Sequence, residues 1–433
     1  MNIPNGILEI LNKLNTDAAS AYLVGGCVRD FLLKRETLDY DITTSHTPEK
    51  VMEILKDYNL ALTGIKYGTV TLTLAPYNVD ITTFRSEDNY NDSRHPQNVK
   101  FEKSLKADLA RRDFTVNAIA YNEKEGFVDL FGGMNDLKDK VLRAVGDADT
   151  RISEDALRIL RALRFKSTLG FEIDESLKAA VLKNHKLINK LSAERIFSEI
   201  KKLINGDFAK SVFSEYGEIL SPLFFYERPL NKAFLEASKH LSKLSTTTLR
   251  LSLLFRFNAL SDVNFYSFEA LEPLKRRGKT TASYLEAQKN AESALNALKS
   301  DNDTKRKVLK SLMALPIMES KTEVLLFLSD FEYSDFLDLI SLEYAVLGTS
   351  LSYFEKDELD FICKTAKEAF ENGEIINTAS LKINGYDLLR LKFTGKEIKD
   401  TLKKLKYEVI LEKTQNNHSA LLKRAEKIRE ERI

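Results

Sequence analysis

Two aspartates one residue apart, Asp39 and Asp41 in the stretch DYDIT, are the side chains best placed to do chemistry. In a strand, side chains repeat every two residues, so both carboxylates share one face while Tyr40 and Ile42 take the other. Held that close, the two charges repel strongly unless a cation sits between them. Mg²⁺ is the natural cation, because it takes carboxylate oxygens together with the phosphates of a nucleotide. Shortly ahead, the apolar run Tyr22, Leu23, Val24 stops at Gly25 and Gly26, and a helical stretch is predicted from Val28 to Lys34. The two glycines let backbone N–H groups approach an anion closely, and Arg29 stands at the start of that helix. Asp39 and Asp41 therefore read as catalytic metal ligands, facing a triphosphate site built from Gly25, Gly26 and Arg29. A D-x-D alone is better described as a strand end with two solvated aspartates. The glycine stretch ahead of it favours the metal-and-triphosphate reading.

These residues need a scaffold, and residues 1 to about 145 supply a mixture of helix and strand. Pro48 to Tyr58 reads as a helix with Thr47 as N-cap. GTVTLTL (68–74) and YNVDITTF (77–84) alternate and are rich in β-branched residues, with Pro76 at the turn, so they form a hairpin beside the D-x-D strand. Asp80 lies mid-strand in its second arm. It is either an exposed edge residue or a third carboxylate able to take the proton from an attacking hydroxyl. SEDNYNDSRHPQNVK (86–100) is polar and aperiodic and reads as a long functional loop. Arg111, Arg112 and Asp113 then precede a helix around Asn117, an arrangement a salt-bridged helix start would also produce. From Ile152 on, strand signals nearly vanish. ISEDALRILRALRF reads as one helix with an apolar stripe of Ala156, Ile159, Leu160 and Leu163. Asp155, Arg158 and Arg161 project to the opposite side with Arg164 at its flank, a pattern that a solvated basic face would share. Ser192 is a plausible N-cap for the helix 191–204. KRRGK (275–279) is a basic turn that either touches phosphate or is solvated.

Composition bounds the alternatives. The 433 residues allow two to four domains, and the net charge of +1 means that nucleic-acid affinity must come from local patches. No apolar run approaches a membrane span, and the N-terminal stretch reads as an amphipathic helix rather than a signal peptide. The two cysteines, Cys27 and Cys363, make no metal or redox pattern and fit a reducing compartment.

Taken together, GGCVRDFLL with DYD, VDITTFR, RRDFTVNA, EDALRILRALRF and SAERIFSEI resemble the class II tRNA nucleotidyltransferases. These CCA-adding enzymes share a head with bacterial poly(A) polymerases. The motifs stand in the family's order and cover residues 22 to about 204 densely; GKEIKDTLKKLKYEVI extends a weaker match to the C-terminal region. The resemblance implies an α+β fold, with a small N-terminal nucleotidyltransferase head (1–145, mixed sheet and helices). All-helical neck (146–210), body (211–310) and tail (311–433) domains would follow, the tail binding tRNA. It implies that Asp39 and Asp41 bind Mg²⁺, that Asp80 is the third carboxylate, and that Gly26 and Arg29 contact the triphosphate. By the same resemblance Arg112, Asp113 and Asn117 hold the ribose and phosphates. Asp155 and Arg158 read the base, with Arg161 and Arg164 nearby. A departure is the C-terminal helix, which is more lysine-rich than the family's usual segment.

The activity so implied is template-independent addition of C, C and A to the tRNA 3′ end (acceptor stem) from CTP and ATP, in the cytoplasm, with release of pyrophosphate. Within the same fold the alternatives are a poly(A) polymerase or a CC- or A-adding specialist. From another class, the alternative is a non-catalytic RNA-binding protein on a dead head; the intact D-x-D and glycines weigh against it.

Overall fold

A computed structural model describes residues 3–16, 19–62, 64–90, 96–101, 104–224, 232–259, 281–312, 315–352 and 354–431. The basic turn 275–279 lies outside them. The chain divides into two units, residues 1–219 and 220–433.

The first unit begins with an amphipathic helix α1 (Asn5–Leu14), which buries Ile7, Ile10, Leu11 and Leu14. Strand β1 (Ala21–Val24), helix α2 (Gly26–Leu32), strand β2 (Asp39–Thr44) and helix α3 (Pro48–Ile54) follow. Thr47 caps α3, its Oγ1 accepting from the N–H of Lys50 at 3.4 Å. The sheet is completed by β3 (Leu60–Ala61), β4 (Thr69–Leu74), β5 (Tyr77–Thr83), and, after a gap in sequence, strands at Ile119–Asn122 and Gly126–Asp129. Its order is β3-β4-β5-β2-β1, then Ile119–Asn122, then Gly126–Asp129. The expected hairpin is present, β4 antiparallel to β5 across Ala75 and Pro76. β2 and β5 run parallel, in a register that sets Asp41 beside Asp80 and Asp39 beside Asn78. The period of two holds as the sequence demands: Tyr40 and Ile42 of β2 and Val79 and Ile81 of β5 are buried, while Asp39, Asp41 and Asp80 face out.

Three expectations are corrected here. Residues 86–100, read as a loop, belong largely to two antiparallel strands, β6 (Arg85–Tyr90) and β7 (Pro96–Phe101). The pair forms a separate two-stranded sheet rather than joining the large one. The helix expected around Asn117 is a single 3₁₀ turn, Thr115–Asn117, preceded by helix α4 (Leu105–Ala110). Most consequentially, the helix read across 152–165 is two helices, Ala148–Glu154 and Leu157–Leu169. Asp155 between them is extended (φ −143°, ψ 102°), so it does not share a continuous helix with Arg158.

Of the further helices, Glu175–Asn184 packs against the first of these and Ala193–Ile204 against the second. Ser192 stands at the expected N-cap position, but its hydroxyl makes no capping bond. The second unit is helical through its described residues. One core gathers Leu315, Val324, Phe336, Ile340 and Ile362, and another Leu388, Phe393, Leu405, Leu421 and Ile428. The lysine-rich helix Gly395–Ile410 keeps Lys396, Lys399, Lys403 and Lys404 exposed but turns Lys406 inward, where its ammonium donates to the Ser329 carbonyl at 3.1 Å. Among the described residues no helix is long and apolar enough to cross a membrane.

Candidate active site

The site grows from the turn between β1 and α2. Gly25 has φ +73°, and a Cβ placed there would lie 3.0 Å from Asp41 Oδ2 and 3.0 Å from Arg112 Nη1. Only glycine meets both conditions, the backbone conformation and the closeness of a carboxylate and a guanidinium. Asp41, Asp80 and Asp39 line the adjoining strand ends. Asp80 accepts from the Thr71 hydroxyl at 2.6 Å, and Asp39 from the Asn78 amide at 3.3 Å. Solvent reaches Asp41 from one side, but its carboxyl is otherwise walled by protein, and lost hydration pushes its pKa up. The Arg112 charge opposes that rise, and the like charges of Asp80 and Asp39 add to it.

This donor set fits a divalent cation. Asp41 and Asp80 are register neighbours with Asp39 two residues along the same face, and Asp41 is destabilised as an anion. Among the described residues no three acidic, His or Cys groups converge tightly enough to cage a metal by themselves. That combination suits Mg²⁺, which is bound through one or two carboxylates and completed by water and substrate phosphates.

Around this floor the cationic wall is built in layers. Asp108 is fully buried; it accepts from Thr43 Oγ1 at 3.0 Å and Arg111 Nη2 at 2.7 Å, with Arg112 Nη2 3.6 Å away. Burial works to raise its pKa, but the two guanidiniums outweigh it and hold the carboxyl low. Arg112 is thereby anchored through one end, and its buried Nε has no hydrogen-bond partner. Asp113 Oδ1 accepts from the Asn117 amide at 3.0 Å and the Phe114 N–H at 2.8 Å; Oδ2 accepts from Arg161 Nε at 2.7 Å. Burial would raise this acid, yet Arg161 and the Asn117 amide bring it down to about 2. Asn117 Oδ1 in turn accepts from Arg29 Nη1 at 2.7 Å. One polar chain, Arg29–Asn117–Asp113–Arg161, thus joins the glycine turn, the 3₁₀ turn and the helix Leu157–Leu169. Arg164 donates to the buried Glu199 at 2.6 Å.

Asp155 and Arg158 are held differently. The Asp155 carboxylate accepts from the Leu157 N–H at 3.1 Å and Arg195 Nη2 at 2.8 Å. Arg158 is buried, donating to the Arg151 carbonyl (2.6 Å), Glu154 (2.8 Å) and the Arg111 carbonyl (3.0 Å). The structure thus brings Gly25, Asp39, Asp41, Asp80 and Arg112 together, and links Arg29, Asn117, Asp113 and Arg161. Asp155 and Arg158 instead face separate partners.

A model described as the poly A polymerase head domain matches residues 21–143, and one described as tRNA nucleotidyltransferase domain 2 matches 280–425. The CCA-adding enzyme of Ligilactobacillus salivarius is 32% identical over 441 residues, covering 100% of this chain and 99% of that protein. The chain belongs to the CCA-adding enzyme family. The CCA-adding enzyme of Lactobacillus delbrueckii subsp. bulgaricus is 46% identical over 210 residues, so that match spans 48% of this chain and about half (52%) of the relative. A Bacillus stearothermophilus CCA-adding enzyme solved in complex with CTP superposes with TM-score 0.70 at 26% identity, covering 98% and 97% of the two chains. Nucleotidyltransferases of this family generally use divalent metals.

Sequence reasoning passed over Asp108, Glu199, Arg195 and Phe165. An acid three residues before Arg111 was a readable signal for Asp108, since i,i+3 pairs meet on a helix. Phe165 projects opposite the apolar stripe, between Arg158 and Arg161, so an aromatic among arginines on one helical face was the signal passed over.

Proposed function

We propose that this chain adds C, C and A to the 3′ end of tRNA from CTP and ATP, without a template. The observation that carries the proposal is the parallel pairing of β2 with β5, which sets Asp41 against Asp80 directly below the Gly25 turn and Arg112. Asp39 and Asp41 would hold Mg²⁺; when bound, it supplies charge stabilisation for the attacking and leaving oxygens. The side chains do the rest. Arg112 and Arg29 receive the triphosphate, and Gly25 leaves room for it at the strand end. Asp80 takes the proton of the tRNA 3′-hydroxyl as that oxygen attacks the α-phosphorus in line and pyrophosphate departs. Asp113 and Asn117 do not move; they fix Arg29 and Arg161 so that little reorganisation accompanies the reaction.

Asp155 and Arg158 serve as the base-reading pair in this proposal. Cytosine and adenine each offer an amino donor beside a ring-nitrogen acceptor, which an acceptor and a donor side chain complement. Because Arg195 and Glu154 engage them here, nucleotide entry would exchange those partners for the base edge. The division into head (1–145), neck (146–210), body (211–310) and tail (311–433) and a cytoplasmic location complete the reading. The free thiols of Cys27 and Cys363 agree with a reducing compartment.

The test offers tRNA transcripts ending before CCA, after C and after CC, with each nucleoside triphosphate separately. CMP addition to the first two and AMP addition only to the third is the expected result. Incorporation of a single nucleotide type would reduce the chain to a specialist, and none at all would refute the proposal.

A further inference from the structure

Phe165 is nearly buried, yet it is ringed by charge. The guanidinium carbons of Arg164, Arg29 and Arg161 lie 3.7, 5.0 and 5.6 Å from its ring centroid. They come from two separate segments: α2 after the glycine turn, and the helix that carries Phe165 itself. Each arginine also has its own acid: Asp30 for Arg29, Asp113 for Arg161 and Glu199 for Arg164. Phe114 meets the ring edge-on at 5.7 Å and an interplanar angle of 87°, which fixes its tilt.

Three cations this close repel one another, and their bonds to separate partners fix each guanidinium by its edge while its plane is set by what stacks on it. One aromatic ring attracts all three at once through its quadrupole and adds no formal charge. The ring therefore pins the cluster without adding to the three carboxylates already paired with it. A fourth acid would pin the arginines equally well, but would make the cluster net negative and oppose an incoming triphosphate.

We propose that Phe165 is a positioning residue for the polyphosphate of the nucleotide: its ring pre-organises Arg29, Arg161 and Arg164 as a cationic cradle. This rests on the triphosphate reading of Arg29 given above.

Binding of inorganic pyrophosphate, CTP and CMP to the full chain, measured by calorimetry, tests it. Phe165→Leu and Phe165→Met keep apolar volume but remove the ring face. Both are expected to bind pyrophosphate and CTP about tenfold more weakly, from the usual size of a desolvated cation–π contact, and CMP within about twofold of wild type. Phe165→Tyr, which retains the ring, should restore pyrophosphate binding to within about threefold. Equal loss for CMP and pyrophosphate would make the ring ordinary core and overturn the proposal, as would failure of both ringless variants to fold. Unchanged pyrophosphate binding in Phe165→Leu, with loss in Arg29→Ala, would overturn it and leave the triphosphate site standing. Unchanged binding in Arg29→Ala as well would remove the site itself.

Discussion

Replacing Asp113 by asparagine should weaken the head in a way that depends on pH. The folded carboxyl titrates at about 2, against about 3.9 in an unfolded chain. A depressed acid stabilises the fold above its unfolded pKa, and that contribution is lost as the pH falls through the folded value. That depression is worth on the order of 2–3 kcal/mol. The Arg161 side chain is 34% exposed, so solvent screening trims the figure to about 2 kcal/mol. The substituted side chain can still accept from the Asn117 amide, but its own amide nitrogen would face Arg161. Urea denaturation of wild type and Asp113→Asn from pH 7 to pH 2.5 separates the effect from other titrations, which both proteins share. The gap should stay at about 2 kcal/mol down to about pH 4 and shrink below it. A gap that is constant across the whole range, or absent at pH 7, would refute the argument that the Arg161 charge and the Asn117 amide hold this acid down.

Three further outcomes follow from the same geometry. Asp41→Ala should lower nucleotide addition by about 10³-fold or more while tRNA affinity, set mainly by phosphate contacts, changes little; filter binding alongside single-turnover addition checks both. Asp155→Ala should sharply reduce preference for CTP over UTP, read as the ratio of kcat/KM values; an unchanged ratio would leave Asp155 as a structural partner of Arg195 only. Gly133→Ala should destabilise the head by about 3 kcal/mol or more, because its Cβ would sit 2.1 Å from the Thr115 carbonyl oxygen, and a drop in urea midpoint at unchanged slope would show it.

The strand that carries Asp39 and Asp41 was legible because period-two burial leaves its mark on residue type. So was the β4–β5 hairpin, whose alternation and Pro76 point to one geometry. The break at Asp155 was hidden: a helical projection assumes one continuous axis, and a single extended residue leaves the apolar stripe on either side nearly intact. The β6–β7 pair was missed for the opposite reason. Its sequence carries no apolar alternation to read, and the pairing shows only in the folded chain. Glu199 is a buried acid whose need for a partner is set by tertiary packing, so only the folded chain joins it to Arg164 across 35 residues.

The parallel β2–β5 pair has a consequence for the order of events during synthesis. A parallel pairing cannot close as a local hairpin, so Asp41 and Asp80 become neighbours only after the intervening helix and hairpin arm have emerged and folded back. The arginine cradle waits longer still, for the helix Leu157–Leu169 and then for Glu199. A ribosome-bound chain therefore emerges through its first two hundred or so residues before the last side chain of the proposed site, Glu199, can take its place.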